Sequence, residues 1–169
     1  MRPVTVFASL ALASFGLLGL KAGDAAPDFA LKNQDGKTVK LSESSGHPVL
    51  LYFYPKDGTP GCTTEACTLR DTFTQFQKLG AVIYGVSTQD ASSHVQFKKE
   101  QKLPFDLLVD PKGEMAHNYG VGFIGKTDLL ERKSVLIGRD GKVLKAYDAV
   151  EPTAHAAEVL KDLQALAKS

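Results

Sequence analysis

An α/β fold, with a central mixed sheet flanked by helices and a β-hairpin added on its N-terminal side, is what three features of the sequence predict. Two apolar runs, Val49 to Tyr54 and Ala81 to Ser87, have the β-branched and aromatic composition of buried strands. The stretches after them carry apolar residues at helical spacing. Asp-Gly pairs, Asp35-Gly36 and Asp140-Gly141, each separate two short strand-like runs, as hairpin turns do.

Taken in order, FALKNQDGKTVKLSE reads as the first hairpin, turning at Asp35-Gly36. The strand Val49 to Tyr54 must stop at Pro55, which cannot donate to a ladder. Thr59-Pro60 then has the form of a helix start, with Thr at the N-cap and Pro at the first helical position. Ala66, Leu69, Phe73, Phe76 and Leu79 continue that helix to near Gly80, and counting back four from Ala66 puts Cys62 on the same inward face. After the strand from Ala81 comes a helix over Ala91 to Lys102, closed by Pro104, and a short strand DLLVD. Lys112 to Tyr119 has room for a turn or two of helix, and Gly120 to Glu131 reads as a loop. SVLIGRDGKVLKAY is the second hairpin, and Thr153 to Lys168 a closing helix with Ala157, Leu160, Leu163 and Leu166 on its apolar stripe. Strand, helix, strand, helix, hairpin and helix is the order of a thioredoxin-like α/β sandwich.

A chain of 169 residues, 43% hydrophobic and 23% charged, is long enough for one well-cored domain and too short for two. With a formal charge of +1 and no basic cluster interleaved with aromatics, nothing points to nucleic acid. The N-terminus stands apart. Met1-Arg2 precedes Val4 to Leu20, 17 residues without a charge, followed by the small residues Ala22, Gly23, Ala25 and Ala26. That is the pattern of a secretory signal peptide, or of a membrane anchor if it stays uncleaved. Residues 1–25 are therefore expected to be the leader and 26–169 the domain. The protein is expected to be exported, to the periplasm or to the membrane surface.

Cys62 and Cys67 are the only cysteines, and their placement carries the chemistry. At the start of a helix the free N–H groups of Gly61 and Cys62 and the positive end of the dipole favour a thiolate, or an anion approaching it. Burial favours the neutral thiol, so a further positive charge is needed. Lys56, Arg70 and Arg132 can each supply it as far as the residues themselves tell. A second thiol five residues on reads as a partner that resolves the oxidised first one.

The stretch FYPKDGTPGCTTEACTLRD, with APDF before it and ERKSVLIGRDGKV after it, resembles the peroxiredoxins, and most of all the bacterioferritin-comigratory or peroxiredoxin Q subfamily. The resemblance runs from about Ala26 to the C-terminus. Pro55-x-x-x-Thr59-x-x-Cys62 after a strand carries the family, and Cys-x4-Cys the subfamily. By position, the resemblance implies that Cys62 is the peroxidatic cysteine, Thr59 the hydroxyl touching the peroxide, Pro55 a wall shielding the thiolate and Arg132 the cation. Gly61 and Cys62 would add their amides to the substrate site, Cys67 would resolve Cys62 as an intramolecular disulfide, and Glu65 would orient an arginine. It implies a thiol-dependent peroxidase of antioxidant defence, acting on hydrogen peroxide and organic hydroperoxides and recycled by a thioredoxin-like protein. No cofactor is implied.

Five residues along an ideal helix separate two Cα atoms by roughly 8 to 9 Å and turn their side chains about 140° apart, beyond the reach of a disulfide. The segment from about Pro60 to Thr68 is thus expected to unwind when the thiols pair. The same separation argues against a permanent structural disulfide, the ordinary reading of two cysteines in an exported protein. An exported thiol–disulfide oxidoreductase is the alternative, but its usual Cys-x-x-Cys is missing. A copper-handling protein needs closer cysteines and a partner histidine. His47, His94, His117 and His155 are scattered without metal-ligand spacing, and no Gly-x-Gly-x-x-Gly or phosphate loop occurs. Phe123, in the loop before Arg132, is a candidate wall of the site, although loop aromatics more often simply pack. No long exposed apolar stripe calls for a dimer, so a monomer is expected.

Overall fold

The computed structural model describes residues 19–166. The leader assigned to the first residues lies, up to residue 18, outside the described part, as does the end of the closing helix beyond Leu166. Seven strands form one mixed sheet: β1 (Ala30–Asn33), β2 (Thr38–Lys40), β3 (Val49–Phe53), β4 (Val82–Ser87), β5 (Asp106–Val109), β6 (Lys133–Ile137) and β7 (Val143–Tyr147). Their order across the sheet is β2-β1-β5-β4-β3-β6-β7. β3, β4 and β5 run parallel and the rest join antiparallel, so both hairpins form where the Asp-Gly pairs placed them. The helices are α1 (Pro60–Asp71), α2 (Phe73–Lys78), α3 (Ala91–Gln101), α4 (Glu114–Asn118) and α5 (His155–Leu166).

β3 is buried along its whole length, and its alternation divides the core in two. Leu50, Tyr52 and Tyr54 face a layer that holds Cys62, Leu69, Phe76, Phe97, Val159 and Leu163, from α1, α2, α3 and α5. Leu51 and Phe53 face the other layer, with Phe29, Met115, Tyr119 and Leu130. Each of these large side chains contributes roughly 1.5 to 3 kcal/mol by leaving water. The central strand is thereby fixed from both sides, and with it the point where the chain enters α1.

Two expectations are corrected. The helix expected to run unbroken to Gly80 is interrupted at Thr72, whose hydroxyl donates to the carbonyls of Thr68 (2.8 Å) and Leu69 (3.4 Å) and leaves the backbone at φ −102°, ψ 3° between α1 and α2. In α5, Ala157 and Leu166 lie outside the core. Ala156, Val159, Leu160 and Leu163 face inward together with His155, because that face places the larger Val159 and the imidazole against the sheet. Residues on both sides of the leader boundary expected at Ala25/Ala26 lie against the folded body. Gly23 donates to the carbonyl of Val143 and Val143 to that of Asp24 (both 2.8 Å), Ala26 donates to Gly141 (2.9 Å), and Leu20 packs on the second core. The small residues that look like a cleavage region are a strand-like strap over the open edge of β7, where unpaired backbone groups need partners. Among the described residues no helix is long and apolar enough to cross a membrane.

Candidate active site

β3 ends at Phe53, and the chain turns through Pro55 to Thr59 into α1. Gly58 takes the left-handed conformation (φ +76°) that the turn requires. Thr59 stands at the N-cap and Pro60 at the first helical position, as expected, but the Thr59 side chain does not cap the helix. Its hydroxyl donates backward to the carbonyl of Lys56 (3.0 Å), closing the turn. Pro60 contributes no N–H, and the amides of Gly61 and Cys62 at the head of α1 donate no bond to that hydroxyl. Pro55 is half-buried in the turn.

Cys62, 1% exposed, faces the sheet from the first turn of α1. The β3–β6 register sets Lys133 opposite Phe53, which brings Arg132 to the end of β3 where α1 begins. Arg132 Nη2 donates to Cys62 Sγ at 3.2 Å, and its Nη1 donates to Oε2 of Glu65. The guanidinium lies over Gly61: a Cβ there would meet Nη2 at 3.1 Å, so the helix head and the cation approach this closely because the residue between them is glycine. Glu65 has no exposed surface. Burial pushes its carboxyl up to about 7, against the pull of Arg132. Behind it, His155 of α5 is also fully buried, with Nε2 4.0 Å from Glu65 Oε1 and its ring edge-on to Tyr147. Burial, then Arg132, drives His155 down to about 4, so the imidazole is neutral and its contact with Glu65 is not an ion pair.

Cys67 sits five residues along the same intact helix, half-buried, and both thiols are free. Its Sγ points to Gln101 Oε1 at 3.5 Å, on α3. Of the three cations left open by the sequence, Arg70 is tied to Asp71 (2.8 Å) and the Gln101 carbonyl (2.7 Å) beside Cys67, and Lys56 is exposed in the turn. Arg132 is the one that reaches Cys62. Phe123, 42% exposed, packs over Gly113 beside Leu130, in the layer across the sheet from Cys62.

A second polar cluster escaped the sequence. Asp57, in the turn before α1, accepts hydrogen bonds from Tyr54 Oη (2.6 Å) and Ser93 Oγ (2.7 Å) and pairs with His94 Nδ1 (2.7 Å). His94 Nε2 in turn meets the Leu108 carbonyl (3.1 Å), which makes Nδ1 or Nε2 the donor according to the tautomer. Burial pushes Asp57 up, but the bonds from His94, Tyr54 and Ser93 outweigh it and hold the carboxyl below its ordinary value. No local pattern announces a contact between a turn and a helix 37 residues later. Among the described residues, no group of three or more His, Cys, Asp or Glu side chains is gathered as metal ligands are.

A sulfur at the head of a helix, on a thioredoxin-like sheet and held by a guanidinium, defines a class: oxidoreductases that work through a cysteine thiolate. The comparisons with known proteins narrow it. Residues 22–146 match the AhpC/TSA family, and the chain belongs to that family. It is 42% identical over 154 residues to peroxiredoxin Bcp of Bacillus subtilis (strain 168), covering 86% of this chain and 96% of that one. It is 44% identical over 145 residues to the chloroplastic peroxiredoxin Q of Oryza sativa subsp. japonica, covering 85% and 67%. Among solved structures, the bacterioferritin comigratory protein of Xanthomonas campestris, described for its alkyl peroxide reduction activity, superposes with a TM-score of 0.80 at 32% identity over 86% of this chain and 99% of that one. The chain is a peroxiredoxin of the Bcp/peroxiredoxin Q kind, and thus a thiol-dependent peroxidase.

Proposed function

We propose that Cys62 is the sulfur that attacks hydroperoxides, that Cys67 resolves the product, and that a thioredoxin-like dithiol protein returns the electrons. The Cys62 thiolate donates a lone pair to the terminal peroxide oxygen, the O–O bond breaks, and the departing alkoxide or hydroxide takes a proton. The sulfur is left as a sulfenic acid. The observation that carries the reading is the 3.2 Å contact from Arg132 Nη2 to Cys62 Sγ, which sets a cation against the sulfur at a helix head. Negative charge spreads over sulfur and two oxygens in the transition state, and Arg132 with the amides of Gly61 and Cys62 supplies preorganised donors for it. Thr59 joins them by rotating its hydroxyl from the Lys56 carbonyl toward the peroxide. Pro55 shields the same hollow.

Attack by the Cys67 thiol on the sulfenic acid expels water and forms the disulfide. On α1 as it stands the two sulfurs lie on different faces, one against the sheet and the other against Gln101. Pairing them requires the first turns of α1 to open. Substrates are hydrogen peroxide and organic hydroperoxides; the Xanthomonas campestris protein's alkyl peroxide activity supports the latter. The alternative, a thiol–disulfide oxidoreductase, is not favoured. We further propose that the uncharged run of 17 residues behind Met1-Arg2, Val4 to Leu20, serves as an export leader, on the strength of its composition.

Loss of hydrogen peroxide in the presence of a dithiol reductant tests the core of the reading. The wild type consumes peroxide and Cys62→Ser does not; equal turnover by Cys62→Ser removes Cys62 from the chemistry. Cys67→Ser is expected to consume one equivalent and then stall. Amide exchange over residues 60–68 is expected to rise on oxidation, and unchanged protection there would contradict the opening of α1.

A further inference from the structure

We infer that Cys62 and Glu65 share a single negative charge. Glu65 holds a proton on Oε1, donated to Nε2 of His155, while Cys62 is a thiolate, and gives it up when the sulfur becomes a neutral sulfenic acid. The inference rests on the peroxidase reading and names the proton partner of that same site.

The geometry places one cation between two groups that can each be an anion. Arg132 gives Nη2 to Cys62 Sγ and Nη1 to Glu65 Oε2. Cys62 is 1% exposed and Glu65 0%. A thiolate and a carboxylate together would outnumber the guanidinium and leave a net anion out of water, a state costing several kcal/mol. The groups facing Glu65 are Cys62 on its own helix, Arg132 from the start of β6, His155 from α5 and Tyr52 from β3, with Tyr147 of β7 behind the imidazole. Cys67 and Asp57 act on Tyr52. Of these, Arg132 alone is a cation: His155 is driven down by burial, and burial and neighbouring anionic groups hold both tyrosines in their neutral form.

His155 offers that proton a place to go. Glu65 Oε1 and both ring nitrogens of His155 are buried without a hydrogen-bond partner, and Oε1 lies 4.0 Å from Nε2. Buried polar atoms in native proteins are nearly always paired. A neutral imidazole carries one N–H, so Nε2 can meet Oε1 as donor to a carboxylate or as acceptor from a carboxylic acid, and a small ring movement closes the gap in either case; the charge balance at Arg132 selects the acid. That proton pairs Oε1 with Nε2 and removes the excess charge. Burial, which pushes Glu65 up to about 7, acts in the same direction.

The balance through the reaction is complete. Before it, the buried group holds a thiolate, a guanidinium and a carboxylic acid, and its net charge is zero. The sulfur lone pair forms the S–O bond as the O–O bond breaks; the alkoxide leaves with that bond's electron pair and takes a proton from solvent, while Glu65 returns one to solvent. Afterwards the group holds a sulfenic acid, a guanidinium and a carboxylate, again at zero. Arg132 then has a full anionic partner in Glu65 and no charge left on the sulfur. Its hold on Cys62 weakens at the step where α1 must open for Cys67.

Infrared difference spectra of the full chain carrying Cys67→Ser, before and after one equivalent of hydrogen peroxide near neutral pH, read the proton directly. The expected result is loss of the carbonyl band of one protonated carboxyl per Cys62 oxidised, moved by carbon-13 labelling of glutamate and missing from Glu65→Gln. His155→Phe is expected to shift that band as its hydrogen bond disappears. The labelled chain gives the answer even if Glu65→Gln fails to fold. Peroxide consumption with no change in the glutamate carbonyl band overturns the shared charge and leaves the peroxidase reading standing. An unshifted band in His155→Phe overturns the role of the imidazole. Absence of Cys62-dependent peroxide loss overturns the peroxidase reading, and this inference with it.

Discussion

Asp57 and Glu65 lie in the same short stretch of chain, one in the turn before Cys62 and the other just after it, and each is beside a buried histidine. Asp57 meets His94 at 2.7 Å and takes two further bonds, from Tyr54 and Ser93. Glu65 stands 4.0 Å from His155, and its Oε1 and both imidazole nitrogens are unpaired. The first carboxyl is held below its ordinary value despite burial, and burial pushes the second up to about 7. Two carboxyl–histidine pairs thus serve opposite ends. A fully bonded anion fixes the turn to α3 and β5, so that the head of α1 is placed the same way each time. An under-bonded acid beside a shared arginine keeps the freedom to change its proton when the sulfur changes its charge.

Breaking the two clusters separately tests that division. The largest effect is expected from Arg132→Ala: a fall in the rate of peroxide reduction of about 100- to 1,000-fold, the roughly 3 to 4 kcal/mol that one preorganised donor is worth. The fold is expected to survive, because Glu65 can answer the loss by keeping its proton. Near-normal turnover by a folded Arg132→Ala protein would remove Arg132 from the site. Asp57→Ala is expected to do the reverse and lower folding stability by about 3 kcal/mol or more, measured by urea denaturation, since three donors lose a common acceptor. A loss below about 1 kcal/mol would mean that the turn is held by something else.

Stability against pH sharpens the contrast, because the two carboxyls contribute with opposite signs. Glu65 has a raised folded value, so its contribution is present below the ordinary 4.5 and lost as pH rises through about 7. Asp57 has a lowered one, so its contribution is present above the ordinary 3.8 and lost as pH falls beneath it. His155, lowered to about 4, adds stability above 6.5 that is lost as pH falls toward 4 and so opposes Glu65 in between. Relative to Glu65→Gln, the wild type is expected to lose stability from pH 4.5 to 7, by on the order of 3 kcal/mol at most. A flat difference between the two urea midpoints would contradict the buried acid. The smallest effect is expected from Thr59→Val, about 1 kcal/mol of folding stability in the same denaturation experiment, for the hydroxyl that closes the turn on the Lys56 carbonyl.

Strand and helix order, both Asp-Gly hairpins and the helix opening at Thr59-Pro60 were legible in the sequence because each is written in residues adjacent along the chain. Cys62 on the inward face followed from helical spacing, and the resemblance to peroxiredoxins singled out Arg132. Other details were hidden for physical reasons. The break at Thr72 comes from a hydroxyl competing for carbonyls that a propensity pattern treats as occupied. The stripe of α5 was read correctly at Leu160 and Leu163 but not at Ala157 and Leu166, because an alanine-rich segment leaves its exact orientation to whatever side chains the sheet accepts. The strap at Gly23 to Ala26 reads as leader residues because only the open edge of β7 gives it a structural partner.

Residues near one another in the chain therefore settled which sulfur stands at a helix head and faces inward, since a helix head, its dipole and its inward face are local properties. Tertiary structure alone decided what surrounds that sulfur. The register of β3 against β6 carries a guanidinium across 70 residues to Cys62, and the packing of α5 on α1 sets His155 behind Glu65. Contacts of that kind depend on which backbones pair and which faces meet, and the charge on a buried acid depends on nothing nearer than those contacts.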